Sequence, residues 1–236
     1  MQKYETEIAN WQKTLQNNLP VAFTAYDSDA GQTDRVVAYV MEQADLQALA
    51  NSGAHYIRVH LGIQDGANFS QIPSNPYAEF FVEGLDQHKK SLVAVKLNWE
   101  KNPPLLEPGP NDTDSGLDEI PSDGAILFVM GWLETAYADI ATAFEGLNTA
   151  TNQVQRVRYY TFSEDESETM MNLLKNNSAN SSFYLYLGKT IAVTAHPMEF
   201  RPVVDIKIDG TNTMGGNGGG GGSHFFDFAN PCPPAC

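Results

Sequence analysis

The sequence predicts an α+β fold made of two repeats, with mixed or antiparallel sheets and a glycine-rich C-terminal tail. At 42% hydrophobic residues, the 236-residue chain can bury a sizeable core. Segments with the apolar spacing of a helix alternate with segments of strand-like alternation. The order helix, strand, helix, strand, final strand occurs on both sides of a proline-rich stretch, which indicates an internal duplication. The alternative is an accidental echo of the kind that any α+β protein gives.

The first repeat begins with an amphipathic helix, in which Tyr4, Ile8, Trp11 and Leu15 recur every three or four residues. A short helix over 44–51 then ends at Gly53, because glycine readily adopts the left-handed conformation of a helix terminus. The predicted extended segments of this repeat are 21–23, 35–41, 55–62, 78–82 and 92–98.

The second repeat begins with apolar residues at helical spacing from Trp132 to Leu147, which predict a second amphipathic helix. Ser163 and Glu166 have the spacing of a capping box, in which each side chain satisfies a backbone N–H at the start of a helix. That helix leads through a polar turn into a strand, as in the first repeat. The predicted strands are 156–161, 183–187, 190–194 and 203–208.

Composition divides the chain into four parts. Repeat one covers 1–99 and repeat two covers 124–209. Proline and acidic residues make 100–123 a linker or a surface loop, since both oppose packing. Residues 210–236 form a tether that includes five consecutive glycines, Gly218 to Gly222, followed by an aromatic tail with two cysteines.

The chain has 29 acidic and 14 basic residues, a net charge of -15. This charge repels nucleic-acid phosphates and anionic lipid headgroups, so we expect neither nucleic acid nor membrane as a partner. The apolar run from Ala125 to Met130 is too short to cross a bilayer, and Met1 to Glu7 resembles no signal peptide. We expect a soluble cytoplasmic protein, with a processed leader or non-classical export as alternatives.

The tail carries three phenylalanines, Phe225, Phe226 and Phe228, which water would solvate poorly. We therefore expect them to dock on a protein surface, together with Cys232 and Cys236. On a long glycine tether, that surface can belong to a neighbouring subunit or another partner.

One segment resembles a known group of proteins. The strand Ile57 to Gly62 reads Ile-Arg-Val-x-Leu-Gly, and the chain ends with Cys-Pro-Pro-Ala-Cys from Cys232 to Cys236. Both features are similar to those of small uncharacterised bacterial proteins. The similarity covers about a fifth of the chain and implies no activity.

The same tail contains three residues suited to a soft metal, His224, Cys232 and Cys236. Zinc is the ion that they would suit, although a closed zinc site usually has four ligands. A reversible disulfide between the cysteines, or docking without special cysteine chemistry, are the alternatives. No other cofactor is indicated.

No combination of residues has the spacing of a known catalytic motif, so we assign no catalytic residue. A small-ligand site in the cleft between the repeats is the one candidate of this kind. It would use Arg58 and His60, which share a strand face, with Tyr184 and Tyr186 from the second repeat.

These observations favour a non-enzymatic structural or interaction protein that assembles into homo-oligomers or polymers. In this hypothesis the C-terminal tail docks on a neighbouring subunit or partner. The alternatives are a ligand binder or enzyme with a site between the repeats, and a metal or redox module at the cysteine-containing tail.

Overall fold

A computed structural model of the chain describes residues 2–106, 120–148, 153–190, 199–209, 223–227 and 230–232. Within these ranges the fold is α+β, as predicted. The elements before residue 101 are α1 (Glu5–Lys13), α2 (Leu19–Ala22), β1 (Thr24–Asp27), β2 (Gln32–Arg35), β3 (Ala38–Val40), α3 (Gln43–Ala50), β4 (Tyr56–Ile63), β5 (Ala78–Leu85), β6 (Ser91–Lys96) and β7 (Asn98–Glu100).

The elements from residue 122 onward follow in the same order of helices and strands. They are α4 (Ser122–Glu134), α5 (Ile140–Ala143), β8 (Glu145–Asn148), β9 (Gln153–Arg156), β10 (Tyr159–Thr161), α6 (Glu164–Asn177), β11 (Ser181–Lys189), β12 (Phe200–Ile208), β13 (Ser223–Phe226) and β14 (Asn230–Cys232). Single-turn 3-10 helices occupy Gln2–Tyr4, Gln16–Asn18 and Tyr137–Asp139. We call the two series the first and second halves; their origin by duplication stays a prediction.

Two five-stranded antiparallel sheets form the body, and each takes strands from both halves. The first sheet has the order β14-β10-β4-β5-β6, and the second has the order β13-β12-β11-β3-β7. Strand β3 of the first half therefore pairs with β11 of the second, while β10 of the second half pairs with β4 of the first. Because of this exchange, neither half can complete its own sheet.

Reciprocal contacts of two tryptophans join the halves. The indole Nε1 of Trp11 donates a hydrogen bond to the carbonyl of Val157 at 2.6 Å, and that of Trp132 donates to the carbonyl of Val36 at 2.8 Å. Both indoles are buried. The two helices that carry them, α1 and α4, thus hold equivalent places in the two halves.

Two arginines repeat the same correspondence. The guanidinium of Arg156 donates to the carbonyls of Trp11 and Thr14, and that of Arg35 donates to the carbonyls of Trp132 and Thr135. Each arginine therefore satisfies carbonyls that the end of a helix leaves without partners.

The core between the sheets is continuous across the two halves. Inward-facing Ile57, Val59 and Leu61 of β4 belong to the same buried cluster as Phe183 and Leu185 of β11. Aromatic rings fill its centre, where Phe23 stacks on Phe144 at 5.0 Å between ring centroids. Because one core is shared, the halves are expected to unfold together.

Two glycines let helices lie directly on the outer faces of the sheets. Helix α1 packs on β4, and α4 packs on β11. A Cβ at Gly62 would lie 3.1 Å from Cβ of Glu7 on α1, and one at Gly188 would lie 3.0 Å from Cβ of Phe128 on α4. The same atoms would lie 2.6 Å from the Phe81 ring and 2.7 Å from the Arg201 carbonyl oxygen, on the neighbouring strands. Since real Cβ atoms do not approach this closely, any other residue would displace both the helix and the neighbouring strand.

Several predicted elements are confirmed. Ser163 and Glu166 form the capping box at the start of α6. Gly53 follows α3 with a positive φ of 71°. The predicted strands 78–82 and 203–208 lie within the observed strands β5 and β12, and the predicted strand 55–62 is shifted by one residue from β4.

The prediction of one helix from Trp132 to Leu147 is wrong. Helix α4 ends at Glu134 because Thr135 has an extended backbone, and the chain bends by 107° before the next helical turns. The apolar spacing continues through this bend, which hid the break from the sequence pattern. The extended segment predicted for 21–23 is also wrong, because Leu19–Ala22 form the short helix α2.

Other predictions need refinement or lie outside the described residues. Each of the predicted strands 35–41 and 156–161 is interrupted, so that it covers parts of two observed strands. At the interruptions, the backbone N–H groups of Val36 and Val157 donate to the carbonyls of Phe23 and Phe144. Most of the predicted strand 190–194, most of the acidic linker and the glycine run lie outside the described ranges. No single helix in the described part is long and apolar enough to cross a membrane. Helix α4 and residues 137–143 reach that length and apolar composition only when they are counted together across the 107° bend.

Candidate functional site

The outer face of the first sheet carries a buried polar cluster that we call the His60 cluster: Arg58, His60, Glu83, Tyr159 and Thr161. Strand alternation places Arg58 and His60 opposite to the core-facing residues of β4. The pairing register then brings Glu83 of β5 beside Arg58, and Tyr159 of β10 beside His60. Three strands from both halves therefore contribute to one cluster.

Glu83 is the centre of this cluster. Its Oε2 lies 2.8 Å from Nε2 of His60 and 3.5 Å from NH1 of Arg58. Its residue is 2% exposed, so these partners replace the water that a carboxylate otherwise requires. Burial by itself would raise the pKa of Glu83, but the hydrogen bonds from His60 and Ser91 outweigh it and lower the pKa.

His60 is held as a neutral imidazole. Burial lowers its pKa, and the bond to Glu83 offsets only part of that effect. At neutral pH, Nε2 therefore carries a hydrogen that it donates to the Glu83 carboxylate.

Arg58 connects the cluster to the second half. Its Nε donates to Oγ1 of Thr161 at 3.1 Å, and its guanidinium lies 4.2 Å from the centroid of the Tyr159 ring. The His60 and Tyr159 rings are also in contact, at 5.3 Å between centroids. The cluster thus joins β10 of the second half to β4 and β5 of the first half. This structural role accounts for all the contacts described above.

The structure does not bring the four predicted ligand residues together. Arg58 and His60 lie on the first sheet, whereas Tyr184 and Tyr186 lie on β11 of the second sheet. The Tyr186 hydroxyl donates to the carbonyl of Pro104 at 2.9 Å, and burial raises its pKa. A ligand site that uses all four residues stays a prediction, and the ligand would have to contact both sheets.

Sequence reasoning missed two buried acids, Asp205 on β12 of the second sheet and Asp227 directly after β13. Asp205 of β12 is 2% exposed and Asp227 is 6% exposed, and among the described residues Oδ1 of each has no hydrogen-bond partner. Burial raises the pKa of both carboxyls, that of Asp205 to about 6. The signal in the sequence was a single acid within the apolar strand Val203 to Ile206.

The tail docks on the body of its own chain. Strand β13 extends the second sheet beside β12, and β14 extends the first sheet beside β10. Phe225 is 4% exposed and Phe226 is fully buried in this position. Docking of these rings on a neighbouring subunit or partner stays a prediction. Phe228 lies outside the described residues.

The cysteine end of the tail has no described metal site. Cys232 is buried and disulfide-bonded, while Cys236 lies outside the described residues. His224 lies on the second sheet and Cys232 on the first. Among the described residues, no group of three or more His, Cys, Asp or Glu side chains is arranged to hold a metal ion. Zinc binding by His224, Cys232 and Cys236 therefore stays a prediction.

A cavity of about 520 Å³ opens between the two halves, at the end of α3 and along α6. The first half contributes Ala54 and His55, and the second half contributes Glu168, Met171 and Lys175. None of the residues predicted for an inter-repeat site lines it.

Comparison with known proteins gives no relative for this chain. No family model matches it, no curated protein matches it, and no solved structure matches its fold. The resemblance of Ile57 to Gly62 and of the tail to small bacterial proteins thus stays a prediction from the residues alone.

Proposed function

We propose that this chain is a non-enzymatic interaction protein that self-assembles by exchanging its C-terminal strands between subunits. The observation that supports the proposal is the seating of the tail. Strands β13 and β14 lie at the ends of the two five-stranded sheets, and Phe225 of β13 also bridges to Ile120. They place Phe225, Phe226 and Cys232 in buried positions. A body that accepts its own tail in this way can accept the same tail from a neighbour.

The length of the connection makes such an exchange feasible. Residues 209–222 separate β12 from β13, and fourteen residues reach about 50 Å when fully extended. That distance exceeds the diameter of a small domain. The closed and exchanged forms contain the same strand pairs, so protein concentration and tether length decide between them.

Truncation of the tail tests the proposal. We expect static light scattering of the full chain to show a mass that rises with concentration, and a variant lacking 215–236 to remain a monomer. The matched control is the full chain with Phe225→Ser and Phe226→Ser, which keeps the tether but removes the buried rings. Identical mass profiles for all three proteins would contradict self-assembly through the tail.

A tether deletion covers the case in which the truncated body does not fold. Removing 218–222 leaves β13 and β14 intact but shortens the connection. Because a shorter tether disfavours the closed form, the dimer fraction should increase at equal concentration. An unchanged or decreased dimer fraction would also contradict the proposal.

The second candidate function is binding of a small molecule in the cavity between α3 and α6. The supporting observation is that both halves line this cavity. A thermal-shift screen of small molecules tests it, with Asn172→Trp as the control, since this exposed side chain on α6 would fill the space. The candidate is refuted if no compound raises the melting temperature of the wild type while leaving the variant unchanged.

A further inference from the structure

The outward face of α4 is unusually apolar for a surface helix. Leu127 is 57% exposed, and Met130 and Leu133 are each 48% exposed. Tyr137, in the turn after the helix, is also 48% exposed. Leu127, Met130 and Leu133 are spaced three residues apart, so they form one band along the helix, and Tyr137 lies beyond the bend that ends it. We call them the α4 surface.

The equivalent helix shows that the fold does not need this surface. Trp11 and Trp132 make the same indole-to-carbonyl bond in the two halves, so they align α1 with α4. In this alignment, Leu127, Met130 and Leu133 correspond to Thr6, Ala9 and Gln12, and Tyr137 corresponds to Gln16. A polar or small residue thus stands at each equivalent position of the first half, with Gln16 in the 3-10 turn after α1, so the fold does not require large apolar side chains at these positions.

Charge indicates what kind of molecule covers the α4 surface. Between Asp123 and Glu134 the helix contains no charged residue, so its exposed centre is purely apolar. Acids flank that centre, with Asp123 at one end and Glu134 and Asp139 at the other, where they outnumber the single guanidinium of Arg35 that donates to the last carbonyls of the helix. The whole chain carries -15. An apolar centre between acidic ends is complementary to an amphipathic helix whose apolar face is flanked by lysine or arginine.

We propose that the α4 surface is a docking site for a basic amphipathic helix of a partner protein. The leucine and methionine side chains would receive the apolar face of that helix. Asp123, Glu134 and Asp139 would lie near its basic residues. The contact resembles helix-in-groove recognition in its use of anchors three and four residues apart.

A second copy of the chain fits this surface less well. An antiparallel pair of α4 helices would bring Asp123 of one copy near Glu134 of the other, which places acid against acid. An anionic bilayer is disfavoured for the same electrostatic reason.

A designed peptide tests the proposal with the full-length protein. The probe is a leucine-lysine peptide of about 18 residues, five turns of amphipathic helix, with a fluorescent label. We expect saturable binding in fluorescence anisotropy, at least tenfold weaker binding of a leucine-glutamate peptide of the same pattern, and weaker binding as salt is raised. The binding variant is the triple substitution L127T/M130A/L133Q, which gives α4 the side chains of α1.

The triple variant should bind the basic peptide at least tenfold more weakly than the wild type. All three residues are exposed, so circular dichroism and the melting temperature should stay close to those of the wild type. The control is Val154→Thr, which removes another exposed apolar side chain, on β9, and should leave peptide binding unchanged. Loss of binding in the triple variant alone supports the assignment.

Three results would overturn it. The first is equal binding of the basic peptide by the wild type and the triple variant. The second is self-association that persists without the tail and disappears in the triple variant, which would assign the surface to a second copy. The third is binding of phosphatidylglycerol vesicles that the triple variant loses, which would assign it to a membrane.

Discussion

Replacing Asp205 with asparagine is expected to stabilise the protein at neutral pH and to change how its stability depends on pH. Asp205 lies on β12 between Tyr184 of β11 and Phe225 of β13. Ser223 donates a hydrogen bond to its Oδ2 at 3.4 Å, while Oδ1 has no hydrogen-bond partner in the part of the chain that the structure describes. A charged carboxylate is therefore buried with less than its usual solvation.

The magnitude follows from the pKa. Burial raises the pKa of Asp205 from 3.8 to about 6, although hydrogen bonds with Ser223 and the His224 backbone and the nearby charges of Lys207 and His224 act in the opposite direction. A shift of about two pKa units corresponds to about 3 kcal/mol between the protonation states.

The sign is set by the direction of the shift. Because the folded state holds its proton more tightly than the unfolded state, the contribution of Asp205 is most favourable below about pH 4. It is lost progressively as the pH rises through about 6. Asparagine does not titrate, so Asp205→Asn should equal the wild type near pH 4 and exceed its stability by about 2–3 kcal/mol at pH 8.

Urea unfolding at a series of pH values between 4 and 8 measures this difference. Subtracting wild type from variant removes the contribution of Asp227, whose pKa burial also raises, because both proteins contain it. Asp139→Asn, at an exposed acid, is the control and should give a small difference at every pH. A difference between Asp205→Asn and wild type that does not grow from pH 4 to pH 8 would refute the reasoning.

Two further substitutions test the packing of the sheets. Gly188→Ala should lower the free energy of unfolding by about 1–3 kcal/mol, measured with urea, because its Cβ would meet a backbone oxygen. The control is Gly124→Ala on α4, where a Cβ has open space, so this variant should be neutral or stabilising. Equal effects of the two substitutions would contradict the close approach at Gly188. Glu83→Ala should cost about 3–5 kcal/mol at pH 7, because it leaves Arg58 and a buried His60 without their carboxylate. A loss below 1 kcal/mol on the same scale would show that the His60 cluster does not join the halves.

The local patterns of the chain were sufficient for part of the fold. Period-two alternation identified β4 and β12, and the Ser163–Glu166 spacing identified the start of α6. These features depend on residues close together in sequence, so their physical cause is present in the sequence itself. The helix predicted from Trp132 to Leu147 failed because apolar spacing survives the bend at Thr135.

One informative repeat in the sequence was overlooked. Trp11 and Thr14 are followed by Phe23, and Trp132 and Thr135 are followed by Phe144 at the same spacing. These residues form the reciprocal contacts between the halves. This repeat of three identical residues is more specific than the similar strand patterns that suggested a duplication. It is also sufficient to align α1 with α4.

The sequence by itself determined the fold class, most of the strands and the need of Phe225 and Phe226 for a surface, because burial pattern and side-chain chemistry are local properties. Only the tertiary structure decided which strands are neighbours. Alternation fixes the face that a strand buries but not its partner, so the pairing of β3 with β11 and of β10 with β4 was invisible. That pairing separates Arg58 and His60 from Tyr184 and Tyr186, and it brings Glu83 beside His60.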